Sequence, residues 1–291
     1  MFGILNINKP AGVTSRDVVN HVQRRVRPHK AGHAGTLDPL ATGVLVVCVG
    51  PATKLIQYVQ QMPKQYLATF RLGVYSDTED IEGEVKELVG APVPTPAELE
   101  AALPKFTGKI QQRPPAYSAV KIKGQRAYKL ARAGKQFDVS AREIEIHSLR
   151  GVEYQYPKLV LDVGCGSGTY IRTLGRDLAE SSGSGAVMEQ LQRTAIGEFV
   201  VDAAKELNNL AGEDEIQQAL HSPFDALSML PRRIVSEEEL EHLRNGRSIA
   251  SENESNTGET VAVNANGQLV AVLATRRDGR VSSKINFAHL V

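Results

Sequence analysis

The stretch Ala31-Gly32-His33-Ala34-Gly35-Thr36-Leu37-Asp38-Pro39-Leu40-Ala41-Thr42-Gly43 holds one acidic residue among glycines and small or apolar neighbours. A strongly apolar run over 44–49 follows at once. Such a loop, leaning on a buried strand, can keep a lone carboxylate in a fixed place with little water around it, which suits a carboxylate used for chemistry. The plainer role for an Asp before Pro is a turn. The proline restricts the residue before it, and the Asp side chain caps local backbone donors. Residue types alone leave both roles open.

Upstream, residues 3–8 read as a short strand, and Lys9-Pro10-Ala11-Gly12 as a turn. Thr14 or Ser15 then caps a helix with Asp17 in its first turn, where negative charge suits the helix dipole. Val18, Val19, Val22 and Val26 recur at helical spacing and mark its buried face. Downstream, a helix is expected from Ala52 and a strand over 66–72, ending at Gly73. A proline-rich connector over 91–96 leads to a helix around 97–106. Pro114 and Pro115 forbid regular helix, whereas Tyr128 and Arg132, four apart, share a helix face. Residues 159–163 alternate and branch like a strand. Gly164 to Gly168 follow, then a helical face through Leu174 and Leu178. Gly183 and Gly185 break that helix, and Val187, Met188 and Leu191 begin another.

The texture changes near Leu230. Ser236 caps a short acidic helix ending at Asn245-Gly246, a polar loop spans 251–259, and three strands follow over 260–263, 269–273 and 281–287. Asn266-Gly267 and Asp278-Gly279 between apolar alternations are strong hairpin signals. This predicts two domains, 1–230 and 231–291, the second near the lower size limit for folding alone.

The formal charge over 291 residues is +1, so the molecule as a whole is no polycation. The balance hides local asymmetry. Residues 101–137 carry nine Lys or Arg and no Asp or Glu, while 76–100 is acidic. Arg16, Arg24, Arg25, Arg27 and Lys30 form a second basic cluster. Such patches can follow a phosphate backbone or simply form a solvated face. Cys48 and Cys165 offer neither metal spacing nor a disulfide framework. The longest apolar run is too short for a bilayer, and no signal peptide stands out, so a cytoplasmic protein is expected.

Several segments together resemble the bacterial tRNA pseudouridine-55 synthases, a branch of the pseudouridine synthase superfamily. The Ala31–Gly43 loop matches that family's catalytic loop without a gap. Lys9-Pro10-x-Gly12-x-Thr14-Ser15 matches its first motif, and Arg71-Leu72-Gly73 with Asp77-Thr78, Asp80 and Gly83 its strand-and-loop signature. Pro114-Pro115-Ala116-Tyr117-Ser118-Ala119-Val120-Lys121 with Gly124, Tyr128, Ala131 and Arg132, and Gly168-Thr169-Tyr170-Ile171-Arg172, extend the likeness. The resemblance implies an α+β fold: a mixed, mostly antiparallel sheet flanked by helices, plus a small C-terminal β-barrel-like, PUA-like domain. It also implies an isomerase acting on uridine 55 in the T-arm loop of tRNA, with no cofactor and no metal, and a monomer is expected. Asp38 takes the position of the catalytic aspartate. Tyr66 matches the tyrosine that stacks on the flipped uracil and takes its C5 proton. Arg172 matches the arginine that pairs with the aspartate and keeps it ionised. Tyr170 and Leu191 match residues lining the uridine pocket, and His33 the histidine that contacts RNA where the base is extruded. Lys9 and Pro10 support the floor of the site. Two departures bear on RNA affinity: Ser167 stands where several relatives carry Lys, and Gln192 where many carry Arg.

Two other functions stay in view. Leu159-Val160-Leu161-Asp162-Val163-Gly164-Cys165-Gly166-Ser167-Gly168 looks like the first motif of S-adenosylmethionine-dependent methyltransferases. That site needs a βαβ unit whose second strand ends in a carboxylate about twenty positions on, and no such strand is legible here. The other is an RNA-binding or tRNA-folding protein for which catalysis is secondary.

Overall fold

The computed structural model describes residues 1–118, 120–122, 124–135, 137–251 and 258–291. Ala119 of the motif around Tyr117, Lys123 of the basic stretch, and residues 252–257 of the polar loop lie outside the described residues.

The chain begins with β1 (Gly3–Lys9), α1 (Ser15–Arg25), β2 (Ala31–His33), β3 (Thr42–Val49), α2 (Ile56–Gln61) and β4 (Lys64–Leu72). A ribbon of β5 (Val74–Tyr75) and β6 (Lys86–Glu87) precedes α3 (Pro96–Ala102) and β7 (Gly108–Gln112). A second ribbon, β8 (Lys121–Ile122) and β9 (Gln125–Arg126), leads into α4 (Ala127–Arg132). Then come β10 (Arg142–Gln155), β11 (Lys158–Cys165), α5 (Ile171–Glu180), β12 (Ala186–Ile196), β13 (Phe199–Val200), β14 (Lys205–Glu206) and α6 (Glu213–Ala219). The C-terminal part holds β15 (Arg232–Ile234), α7 (Glu237–Arg244), β16 (Glu259–Val263), β17 (Leu269–Thr275) and β18 (Val281–Asn286).

One ten-stranded sheet runs in the order β14-β1-β3-β12-β4-β11-β10-β7, with β2 and β13 beside β3 and β12. Only β1/β14 and β3/β12 are parallel pairs within it. Thr14 caps α1 through a capping box with Asp17: its hydroxyl accepts from Asp17 N at 3.1 Å, and the Asp17 carboxylate accepts from Thr14 N at 3.0 Å. Val18, Val19, Val22 and Val26 are fully buried beside Leu5, Ile7, Leu45 and Val47. Each such aliphatic side chain stabilises the fold by about 1.5–3 kcal/mol relative to exposure.

The segment after Gly185 is a strand and not the expected helix. β12 lies antiparallel to β4 over nine residue pairs, with irregularities between Met188 and Gln190 and between Arg193 and Ala195. Each irregularity shifts the alternation by one residue, which hides the two-residue period and leaves a spacing that imitates a helix. β12 also weighs against the methyltransferase geometry. β4 lies between β11 and β12, so β11-α5-β12 is not the adjacent parallel pair that a dinucleotide-type site requires.

α5 packs on β4 through Gly175, where a Cβ would overlap the fully buried Phe70 ring. Ile171, Leu174, Leu178 and Ala179 fill the rest of the contact. The small sheet, in the order β15-β16-β17-β18, shares a core with the large one. Val261, Val263, Leu269, Val272, Ile285 and Phe287 pack with Ile4, Val46, Leu55 and Tyr58. Among the described residues no helix is long and apolar enough to cross a membrane.

Candidate active site

The Asp38 loop is tied down from below. The Ser15 hydroxyl, at the start of α1, donates to Leu37 O (3.1 Å) and accepts from Leu37 N (2.9 Å). This fixes the residue just before Asp38. Ala41 N donates to Asp38 O at 3.1 Å, closing the turn over Pro39. The capping role of the Asp thus falls to its main chain, and the side chain is spared. Lys9, fully buried beneath, donates to Pro10 O (2.9 Å), Val13 O (2.7 Å) and Pro39 O (3.2 Å). Burial lowers its pKa to about 8, against the pull of Asp38 and Glu82.

Arg172, near the start of α5, joins two carboxylates. Its Nε lies 3.2 Å from Asp38 Oδ2 and its Nη1 3.0 Å from Asp80 Oδ2. Nη1 also donates to Thr78 O (2.7 Å), and Nη2 to Tyr117 O (3.1 Å). Exposure separates the partners: the Asp80 side chain is 3% exposed and that of Asp38 36%. Asp80 therefore anchors the guanidinium, and Asp38 is the carboxylate that faces solvent. Burial nevertheless raises the Asp38 pKa, outweighing Arg172, with Asp80 adding to the rise and Lys9 opposing it. The guanidinium orients the carboxylate and opposes that rise, acting toward the ionised form. One turn along α5, Arg176 pairs with Glu79, whose other oxygen accepts from Thr173 Oγ1 at 2.6 Å. Glu79 adopts φ +62°, which lets neighbouring Glu79 and Asp80 both reach the same helix.

Asp38, Tyr66, Tyr170, Arg172 and Leu191 line one cavity of about 590 Å³, a size that accommodates a small-molecule or nucleoside ligand. Tyr66 enters from β4, directly across from Arg193 of β12. Burial raises the phenol pKa, and the Arg193 guanidinium pulls it back. Gln112 grips Tyr170 through its backbone, donating to the carbonyl at 3.0 Å and accepting from the N–H at 2.8 Å. The Arg142 guanidinium lies 5.2 Å from the centre of the Tyr170 ring.

The other three expected site residues lie off the cavity wall. Lys9 is the buried support beneath the loop, and Pro10 is exposed beside it. His33 pairs with Val47 along β2, and burial lowers its pKa with help from Arg16 and Arg193. Several residues of the site were not foreseen. Arg193, Lys64, Tyr117, Ser118 and Tyr128 line the cavity, and Asp80 anchors Arg172. Lys64 donates to Met62 O (2.6 Å), Ser167 Oγ (3.0 Å) and Gln60 O, and burial lowers its pKa to about 8. A cation therefore stands beside Ser167. The Gly166–Gly168 turn of the methyltransferase-like motif lines this same cavity.

A fixed carboxylate, a half-buried phenol and a guanidinium around a nucleoside-sized space suit chemistry at a ring or sugar carbon. A family model described as TruB family pseudouridylate synthase (N terminal domain) matches residues 23–171. A tRNA pseudouridine synthase B of Arthrobacter sp. (strain FB24) is 40% identical over 285 residues, covering 94% of this chain and 92% of that one. One from Rhodopirellula baltica is 43% identical over 228 residues, covering 76% of this chain and 66% of that one. The crystal structure of a Cbf5-Nop10-Gar1 complex superposes with a TM-score of 0.75 at 24% identity, over 98% of this chain and 84% of that one. That likeness shows a shared fold.

Proposed function

The chain belongs to the TruB family of pseudouridylate synthases, and from that premise we propose that it isomerises uridine 55 in the T-arm loop of tRNA to pseudouridine, with Asp38 as the catalytic carboxylate. The observation that carries this reading is the Asp38–Arg172 contact at the cavity shared with Tyr66.

The reaction breaks the bond between uracil N1 and ribose C1′, turns the base, joins C5 to C1′ and removes the C5 proton. It requires no redox step and no methyl donor. Arg172 engages one Asp38 oxygen, so the other can address C1′ or the ring. Tyr66 stacks on the uracil and takes the C5 proton, while Tyr170 and Leu191 close the space in which the base turns. The target nucleotide must leave its stack to enter. His33, beside the loop, meets the RNA where that happens. Residues 1–230 form the catalytic unit, and 231–291 a PUA-like unit. A T-arm loop is read by shape and stacking more than by groove contacts. The basic residues Arg113, Lys129, Arg132 and Lys135 supply the phosphate attraction.

The test is to incubate the protein with an unmodified tRNA transcript and map pseudouridine along it. The expected result is modification at position 55. Modification confined to another arm would overturn the assigned position, and no modification of a folded transcript would overturn the function.

A further inference from the structure

Arg193 is the largest of the fully buried side chains. Its hydrogen bonds go to neutral groups, Nε to Val44 O at 2.7 Å and Nη2 to Gly35 O at 3.1 Å. Among the described residues no carboxylate pairs with it. Arg172, the other strongly buried arginine of the site, has two acidic partners. A buried cation without a counter-ion is costly, and this one stands at the cavity wall. Its two carbonyl partners lie on either side of Asp38, at the two ends of the loop. Its cross-strand neighbour is Tyr66. The parallel pairing of Arg193 with Gly43 brings the strands so close that a Cβ on Gly43 would overlap the Arg193 backbone, and Gly43 has φ +95°. The guanidinium is therefore held rigidly between the catalytic loop and the phenol, with its charge unspent.

We propose that Arg193 is the positioning residue of Tyr66: it fixes the phenolic oxygen over the uracil and serves as counter-ion to the phenolate that accepts the C5 proton. In that step the C5–H bond breaks and its electron pair restores the C5=C6 double bond. The proton goes to the Tyr66 oxygen, N1 gains a proton from water, and Tyr66 later returns its own proton to water. A phenolate beside a guanidinium is a charge-assisted pair. Without the cation, a buried phenol resists ionisation. The inference rests on the reading of Tyr66 as the base.

The experiment is a double-mutant cycle on single-turnover tritium release from C5 of full-length, unmodified tRNA. It uses wild type, Arg193→Met, Tyr66→Phe and the double variant, with Arg193→Lys as the charge-conserving control and tRNA affinity measured for each. Arg193→Met is expected to slow release by roughly 10²-fold or more, the range a general base contributes, with tRNA affinity unchanged. Arg193→Lys should recover part of the rate. The double variant should be no slower than Tyr66→Phe, because residues that act as a unit are not additive. Losses that multiply in the double variant, while Tyr66→Phe alone is slow, would overturn this inference and leave the function standing. A fast Tyr66→Phe would remove the base role and this inference with it. If Arg193→Met fails to fold, Arg193→Lys with and without Tyr66→Phe completes the same cycle.

Discussion

Burial makes the Asp38 carboxylate selective in what it touches and also reluctant to ionise. Its raised pKa has two consequences of known sign. The acid limb of the rate should lie above the ordinary carboxylate range, seen in the pH dependence of single-turnover release. A limb at ordinary Asp values would contradict the burial. Because the folded state holds the Asp38 proton more tightly than the unfolded chain, stability is lost as pH rises from the ordinary Asp value to the raised folded one, and the full cost remains above it. Asp38→Asn should therefore melt no lower than wild type at pH 8, with any gain fading in acid. Asp38, Tyr170 and Arg172 could be placed from motifs that stand intact in the sequence, Tyr66 and Leu191 only as single matched positions, and all five line the cavity. Lys9 acts beneath the loop, while Pro10 and His33 sit beside it. Arg193 stayed hidden because its value lies in what it lacks among the described residues, an acidic partner, and no linear pattern shows that. Asp80 was visible as part of a motif, but its grip on Arg172 is a contact across 92 positions.

The elements that read correctly are those whose signal is local. Thr14 with Asp17 and Ser236 with Glu239 are capping boxes, and the Asn266-Gly267 turn joins β16 to β17. β12 was misread because its two irregularities erase the alternation. β10 went unassigned because its fourteen residues bury little beyond Ile144 and Ile146. β12 is defined by a partner far away in sequence, β4, whereas β10 pairs with β11, which follows it directly, and with β7. α5 is the element on which the site depends most, since it carries Arg172 and meets β4 at Gly175. Gly175→Ala should cost about 1–3 kcal/mol, the usual penalty of overpacking. It should also slow catalysis by moving Arg172 away from Asp38. Urea unfolding and single-turnover release would check both. A variant with normal stability and rate would show that the Phe70 contact yields easily.

The two sheets were read from sequence as two domains, and their texture does change near Leu230. Their joint core could not be read, because each contributing face looks like the face of a self-sufficient unit. Phe2 and Phe287 lie 5.0 Å apart across the junction. Glu259 accepts from Tyr58 Oη at 2.5 Å and pairs with Lys284 at 2.5 Å. Burial pushes the Glu259 pKa up, but the Lys284 and Tyr58 hydrogen bonds together pull harder, so it lies below its ordinary value. The stability this contact supplies is present above the ordinary Glu range and is lost as pH falls through the lowered value. Glu259→Gln should therefore lower stability at pH 7 by about 1 kcal/mol, allowing for partial exposure. The difference from wild type should close in acid, as thermal melts across pH would show. A difference independent of pH would point to packing instead.

The most direct measurement is release of tritium from C5 of uridine in an unmodified T-arm stem-loop, by wild type and Asp38→Asn side by side, with no added cofactor. Release by wild type alone is the expected result, and it would make Asp38 the essential group of a uridine isomerase. Equal release by both proteins, or none by wild type on a correctly folded substrate, would contradict the account.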